Sequence, residues 1–93
     1  MGVSNNANVS QVASSASVVE LLPRNPSRTS FVVENDSTAV LYVKLGSDAS
    51  ATSYTARLTQ NARYVHDSPS PYIGVVTGIW ASANGYAYVT ETM

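Results

Sequence analysis

Few residues in this chain are equipped for chemistry. His66 is the one imidazole, and a hydrolytic reading would make it the base, with Asp67 or Asp48 as its orienter and one of the 14 serines as nucleophile. Such a relay needs a carboxylate on one ring nitrogen while the other faces the hydroxyl. His66 and Asp67 are adjacent in an extended stretch, where neighbouring side chains point to opposite faces, so that bond is disfavoured. No Gly-x-Ser-x-Gly elbow presents a serine. Glycoside hydrolysis would need two carboxylates held across a sugar bond, and Glu20, Glu34, Asp36, Asp48, Asp67 and Glu91 fall in turns or at strand ends with no pair marked out. There is no cysteine to serve as thiolate or disulfide, no clustered ligand set for a metal, and no glycine-rich loop for a phosphate. The expectation is a non-enzymatic protein with no catalytic residue, no cofactor and no metal.

Aromatic residues offer a different chemistry, that of contact. Trp80, with Tyr86 and Tyr88 across an Asn84-Gly85 turn, and Tyr72 nearby, are expected to form either an oligomer interface or an exposed platform that stacks sugars. Cross-strand aromatic pairs that cover the core are the ordinary alternative. Charged residues are 12% of the chain, the net charge is −1, and Arg24, Arg28, Lys44, Arg57 and Arg63 are dispersed, so no field draws in nucleic acid or an anionic membrane.

The elements that must position these residues read as short strands. Ser17 to Leu22 is a first candidate, stopped by the Pro23 to Pro26 breaker. Ser30 to Glu34 follows, with Asn35-Asp36-Ser37 as a hairpin turn into Ala39 to Leu45, whose Leu41, Val43 and Leu45 form the inward set. Thr52 to Thr59 alternates with Tyr54, Ala56 and Leu58 inward, and a turn at Gln60-Asn61 leads to Arg63 to His66. After the Asp67 to Pro71 breaker, Tyr72 to Thr77 and Ile79 to Ser82 flank Gly78, which suggests a bend or bulge with no room for a side chain. Asn84-Gly85 is the strongest hairpin signal and should pair Ala83 with Tyr86. The fold class is all-β, a small antiparallel β-sandwich or barrel of about seven or eight short strands with an extended N-terminal arm.

Residues 1–16 are small and polar and cannot offset an ordering cost of ~1–2 kcal/mol per residue, so they are expected to be a flexible arm ahead of a domain at 17–93. Val3, Val9 and Val12 are its handles for docking on a partner. The remaining ~75 residues make a core of marginal size, and without disulfides or metal the available support is self-association as a dimer or trimer, or docking on a larger body. The 14 Ser, 8 Thr and 7 Asn suit a surface largely covered by neighbours. No basic-then-apolar leader and no long apolar run is visible, which leads to the expectation of a chain made in a cytoplasm, with no membrane partner.

The stretch Arg28 to Thr92, above all FVVENDSTAVLYVKLGSDASATSYTARL and GVVTGIWASANGYAYVTE, resembles small virion proteins encoded among the structural genes of tailed bacteriophages. It departs from the pattern at Leu58 to His66, where a glycine-rich turn is replaced. The resemblance implies a virion component on the capsid surface, made in the host bacterium. A capsid cement or decoration protein that binds the major capsid protein is the first expectation. A fibre, neck or tail component that binds host glycan through the aromatic platform is the second.

Overall fold

A computed structural model of the chain describes residues 7–67 and 70–93. Eight strands are present: β1 Ala7–Ala13, β2 Val19–Leu22, β3 Ser30–Ser37, β4 Leu41–Leu45, β5 Ala56–Leu58, β6 Arg63–His66, β7 Val76–Trp80 and β8 Gly85–Thr92. All named pairings are antiparallel, in two four-stranded sheets ordered β1-β8-β3-β6 and β2-β7-β4-β5. That order is the connectivity of an eight-stranded jelly roll, two Greek keys wound into facing sheets. The all-β sandwich expected from the alternation is the architecture found.

The core lies between the sheets. Phe31, Val33, Ala87 and Val89 contribute from the first sheet, and Leu21, Leu22, Leu41, Val43, Leu58, Val76 and Trp80 from the second. Period-two patterning is the cause: β3 alternates half-buried and buried residues from Ser30 to Asn35, so Phe31, Val33 and Asn35 face inward. Leu41 and Val43 are fully buried as expected, with Leu45 half-buried beside them.

Two polar staples tie the layers. Asn35, fully buried, donates from Nδ2 to the carbonyls of Ala39 (2.8 Å) and Leu58 (2.9 Å) and accepts from Trp80 Nε1 (3.1 Å). Elsewhere the buried Arg28 pairs with Glu91 (2.8 Å) and donates to the carbonyls of Tyr72, Gly74 and Pro23, so one guanidinium gathers three chain segments. Among the described residues no buried side-chain polar atom lacks a partner.

Three expectations are corrected. The Asn84-Gly85 turn does not pair Ala83 with Tyr86: β7 pairs with β2 and β4, β8 with β1 and β3, and the 81–84 connection crosses between sheets. Gly85 is required for a different reason, having φ +109° and a position where a Cβ would stand 2.5 Å from the Asp36 carbonyl oxygen. Asn35-Asp36-Ser37 is likewise no hairpin; it continues β3, and all eight residues of β3 pair with β8. Gly78 neither bends nor bulges β7. It pairs in regular register with Val43, and its missing Cβ makes room for Leu21 Cδ1 and Leu41 Cδ1, 2.9 and 3.0 Å from where that atom would lie.

The leader also differs from an arm. Residues 7–13 form β1, paired along its length with β8, because eight residues of β8 offer a free ladder edge that β3 leaves unfilled. Residues 1–6 lie outside the described residues.

Candidate protein interface

Alternation along the first sheet sorts its side chains into an inner and an outer set. Register then lines the outer set into rows across the strands. One row runs Val9, Thr90, Val32, Val65 from β1 through β8 and β3 to β6. Beside it runs Gln11, Tyr88, Glu34, Arg63, and beyond that Ala13, Tyr86, Asp36. The first row is apolar at three of its four positions and still open to solvent, with Val9 68% and Val65 53% exposed. Tyr86 is 43% exposed.

The second row is polar and internally ordered. Gln11 Nε2 donates to the Tyr88 hydroxyl at 2.9 Å, and Arg63 approaches Glu34 at 3.9 Å. A partly exposed apolar row beside polar side chains that already have partners has a composition like the centre and rim of a protein contact. Exposed pairs like Arg63 and Glu34 add little stability but constrain the orientation of a partner.

The opposite sheet is covered by its own chain. The segment after β4 folds back so that Ala49 is buried and its N–H donates to Thr77 Oγ1 (3.2 Å), while that hydroxyl donates to the Gly46 carbonyl (2.7 Å). Tyr54 packs on Tyr42, ring centroids 5.0 Å apart. Among the described residues no such segment lies over the outer face of the β1-β8-β3-β6 sheet.

The residues singled out by sequence divide. Val9 stands on the open face, whereas Val12 is on the inner side of β1, half-buried against the core cluster. Val3 lies outside the described residues. Tyr86 and Tyr88 are together on the outer face, two positions apart on β8. Trp80 is not with them; it is 2% exposed, on the other sheet, with its indole N–H held by Asn35. The expected platform of Trp80, Tyr86 and Tyr88 is therefore replaced by two tyrosines, because the β7-to-β8 connection crosses the sandwich and turns Trp80 into the core. Tyr72 is also apart, half-buried, donating its hydroxyl to the Val75 carbonyl (2.8 Å).

His66 sits in an aromatic cluster, stacked on Phe31 with centroids 5.4 Å apart. Its Nε2 accepts from the Tyr72 N–H (3.3 Å) and its Nδ1 lies 3.2 Å from the Tyr64 hydroxyl. Among the carboxylates, Glu91 is engaged by Arg28 and Glu34 by Arg63, while Glu20, Asp36, Asp48 and Asp67 are exposed. Among the described residues no three His, Asp or Glu side chains are grouped to hold a metal, and no helix is long and apolar enough to cross a membrane. An open cleft lined by Asp36, Ser37, Thr38, Gln60, Asn84 and Gly85 lies at one end, where Ser37 Oγ already bonds to Asn84 Oδ1.

Val32, Val65 and Thr90 escape sequence reasoning as residues of the open face. The signal was the alternation in Arg63-Tyr64-Val65-His66, but which alternate faces inward depends on Tyr64 and His66 finding Phe31. Compared with known proteins, the chain matches no family model, no curated protein and no solved structure.

Proposed function

We propose that this chain is a non-enzymatic structural protein of a tailed-bacteriophage virion, a capsid cement or decoration protein that self-associates and braces the lattice of the major capsid protein. The observation that carries the reading is the uncovered row Val9, Thr90, Val32, Val65, spanning all four strands of one sheet. The resemblance of Arg28 to Thr92 to small phage virion proteins supplies the setting. Jelly rolls recur in viral capsid domains and also in lectins, so the architecture agrees with the reading without selecting it.

Physically, a cement protein has to bind many equivalent places on a shell, through a modest surface repeated many times. Full burial of a valine returns ~1.5–3 kcal/mol, and the partly exposed valines of this row return a fraction of that. One such face gives a weak contact; an oligomer that engages several shell subunits at once gains affinity by multivalency. The low net charge leaves the contact little affected by salt.

The test is co-sedimentation of the purified chain with expanded empty capsids of its parent phage, with light scattering for stoichiometry. Saturable binding at a fixed ratio, weakened at least tenfold by Val65→Asp with folding unchanged, is the expected result. Failure to bind shells, or equal binding by Val65→Asp, overturns the reading. Glycan binding through Tyr86 and Tyr88 by a chain that ignores shells would assign it to a fibre or tail component instead.

A further inference from the structure

The four sheet edges are not equally protected. At one end of the second sheet β5 has only three residues and carries Arg57; at the other, β2 has four, an irregular register between Glu20 and Leu22, and Pro23 immediately after it. At the far edge of the first sheet β6 has four residues and begins at Arg63. Shortness, charge, irregularity and proline are the devices that stop an edge strand from recruiting another. β1 has none of them. Its seven residues, Ala-Asn-Val-Ser-Gln-Val-Ala, hold no charge and no proline and pair with β8 without a register shift.

The hydrogen-bonding parity of β1 identifies which groups are free. Ser14 N–H donates to the Gly85 carbonyl at 3.0 Å, continuing the β1–β8 register by one residue. In an antiparallel ladder the groups facing a given neighbour alternate, so Ser14, Val12, Ser10 and Asn8 address β8. Ala7, Val9, Gln11 and Ala13 therefore turn their N–H and C=O groups to the open edge, and among the described residues nothing accepts or supplies those bonds.

We infer that β1 is a homodimer edge, at which a second copy of this chain adds its own β1 antiparallel about a two-fold axis through Val9. The sequence of the strand favours this occupant and this register. Centred on Val9, the pairing sets Val9 against Val9, apolar with apolar, and Ser10 against Asn8, hydroxyl with amide, with Gln11 against Ala7 at either end. Centred on Ser10, it sets each Val9 against a Gln11 and each Val12 against an Asn8. Matched cross-strand pairs are what stabilises a sheet, and the uncharged strand meets its copy without repulsion. Of the residues with free groups, Ala7, Val9 and Gln11 are bonded together by a Val9-centred axis through six backbone hydrogen bonds; a Ser10-centred axis satisfies the same parity, so it is the pairing of Val9 with Val9 that favours this register.

The dimer carries a continuous eight-stranded sheet, β6-β3-β8-β1-β1-β8-β3-β6. Its outer face joins the two apolar rows end to end through the two Val9 side chains, the most exposed of the large apolar residues among those described. A five-residue overlap buries less than the ~800 Å² per partner of a standard interface, so the dimer dissociates in the roughly micromolar range. The inference holds whether or not the larger partner is a capsid, and its test uses no capsid.

The experiment is sedimentation equilibrium of the full chain across roughly micromolar to millimolar concentration, with three variants. Wild type is expected to show a monomer–dimer equilibrium. Val9→Lys, which places two like charges on the axis, is expected to weaken it at least tenfold, and Val65→Lys at the far edge to leave it unchanged. Because the chain has no cysteine, Val9→Cys is expected to give a disulfide dimer under mild oxidation. The two Cα atoms would be ~5.5 Å apart, whereas Ser10→Cys places them beyond ~7 Å and cross-links far less. A monomer at every concentration overturns the inference, as does a dimer insensitive to Val9→Lys or one lost with Val65→Lys. Preferential cross-linking at Ser10→Cys overturns the register. Shell binding by a monomeric wild type would leave attachment to the capsid standing and refute both the self-association in that reading and this inference.

Discussion

Asn35→Ala should cost this protein a large part of its stability. The side chain is fully buried and serves three partners at once: the Ala39 and Leu58 carbonyls and the Trp80 indole N–H. Removing it takes a donor from two buried carbonyl oxygens and the acceptor from the indole N–H, and a buried polar group without a partner costs ~1–3 kcal/mol. Some relief comes from water entering the space, so the loss should be about 3–5 kcal/mol, against a total of roughly 5–14 kcal/mol for a domain of this length. Urea denaturation followed by fluorescence measures it directly, since Trp80 is the one tryptophan and reports from the affected site. Far-UV circular dichroism extends the measurement to Trp80→Phe and to the double variant. The two changes should be coupled by ~0.5–3 kcal/mol because each removes a partner of the other. A loss below about 1 kcal/mol for Asn35→Ala, or strict additivity with Trp80→Phe, would refute the claim that this amide holds the layers together.

Arg28→Met should destabilise by ~3–5 kcal/mol, since it leaves Glu91 and three backbone carbonyls without their donor; Arg28→Lys should rescue little, because one ammonium cannot span the same acceptors. Chemical denaturation of both variants checks this. Gly85→Ala should cost more than Gly78→Ala, as the first meets backbone oxygen at positive φ while the second meets only the movable ends of Leu21 and Leu41. Comparing the two unfolding midpoints decides it. Val65→Asp should leave the unfolding free energy, measured by urea denaturation, within about 0.5 kcal/mol of wild type, because its side chain is on the open face.

The class of the fold is written in the alternation. Leu41 and Val43 against Tyr42 and Lys44 is a period-two pattern that only a half-buried strand satisfies, and the strand at Arg63–His66 begins and ends where the sequence places it. Local turn signals misled where a long-range partner outweighed them. Asn84-Gly85 has the chemistry of a tight hairpin, yet Gly85 opens β8 at its close approach to Asp36, and the eight-residue register with β3 outweighs a single turn. Asn35 reads as a turn residue because its amide bonds backbone readily; the same amide is used in the core, on carbonyls of distant segments.

Sequence by itself determined that this is an all-β chain without disulfides, low in charge and short of reactive groups, because composition and alternation are local properties that need no partner to be read. Only the tertiary structure decided which aromatic faces solvent and which edge stays open. Trp80 is buried while Tyr86 is exposed, and β1 is a strand rather than an arm, because both depend on which strands lie side by side. A pleated strand offers two equivalent faces and two equivalent edges, and pairing with residues far along the chain is what makes one of each inside.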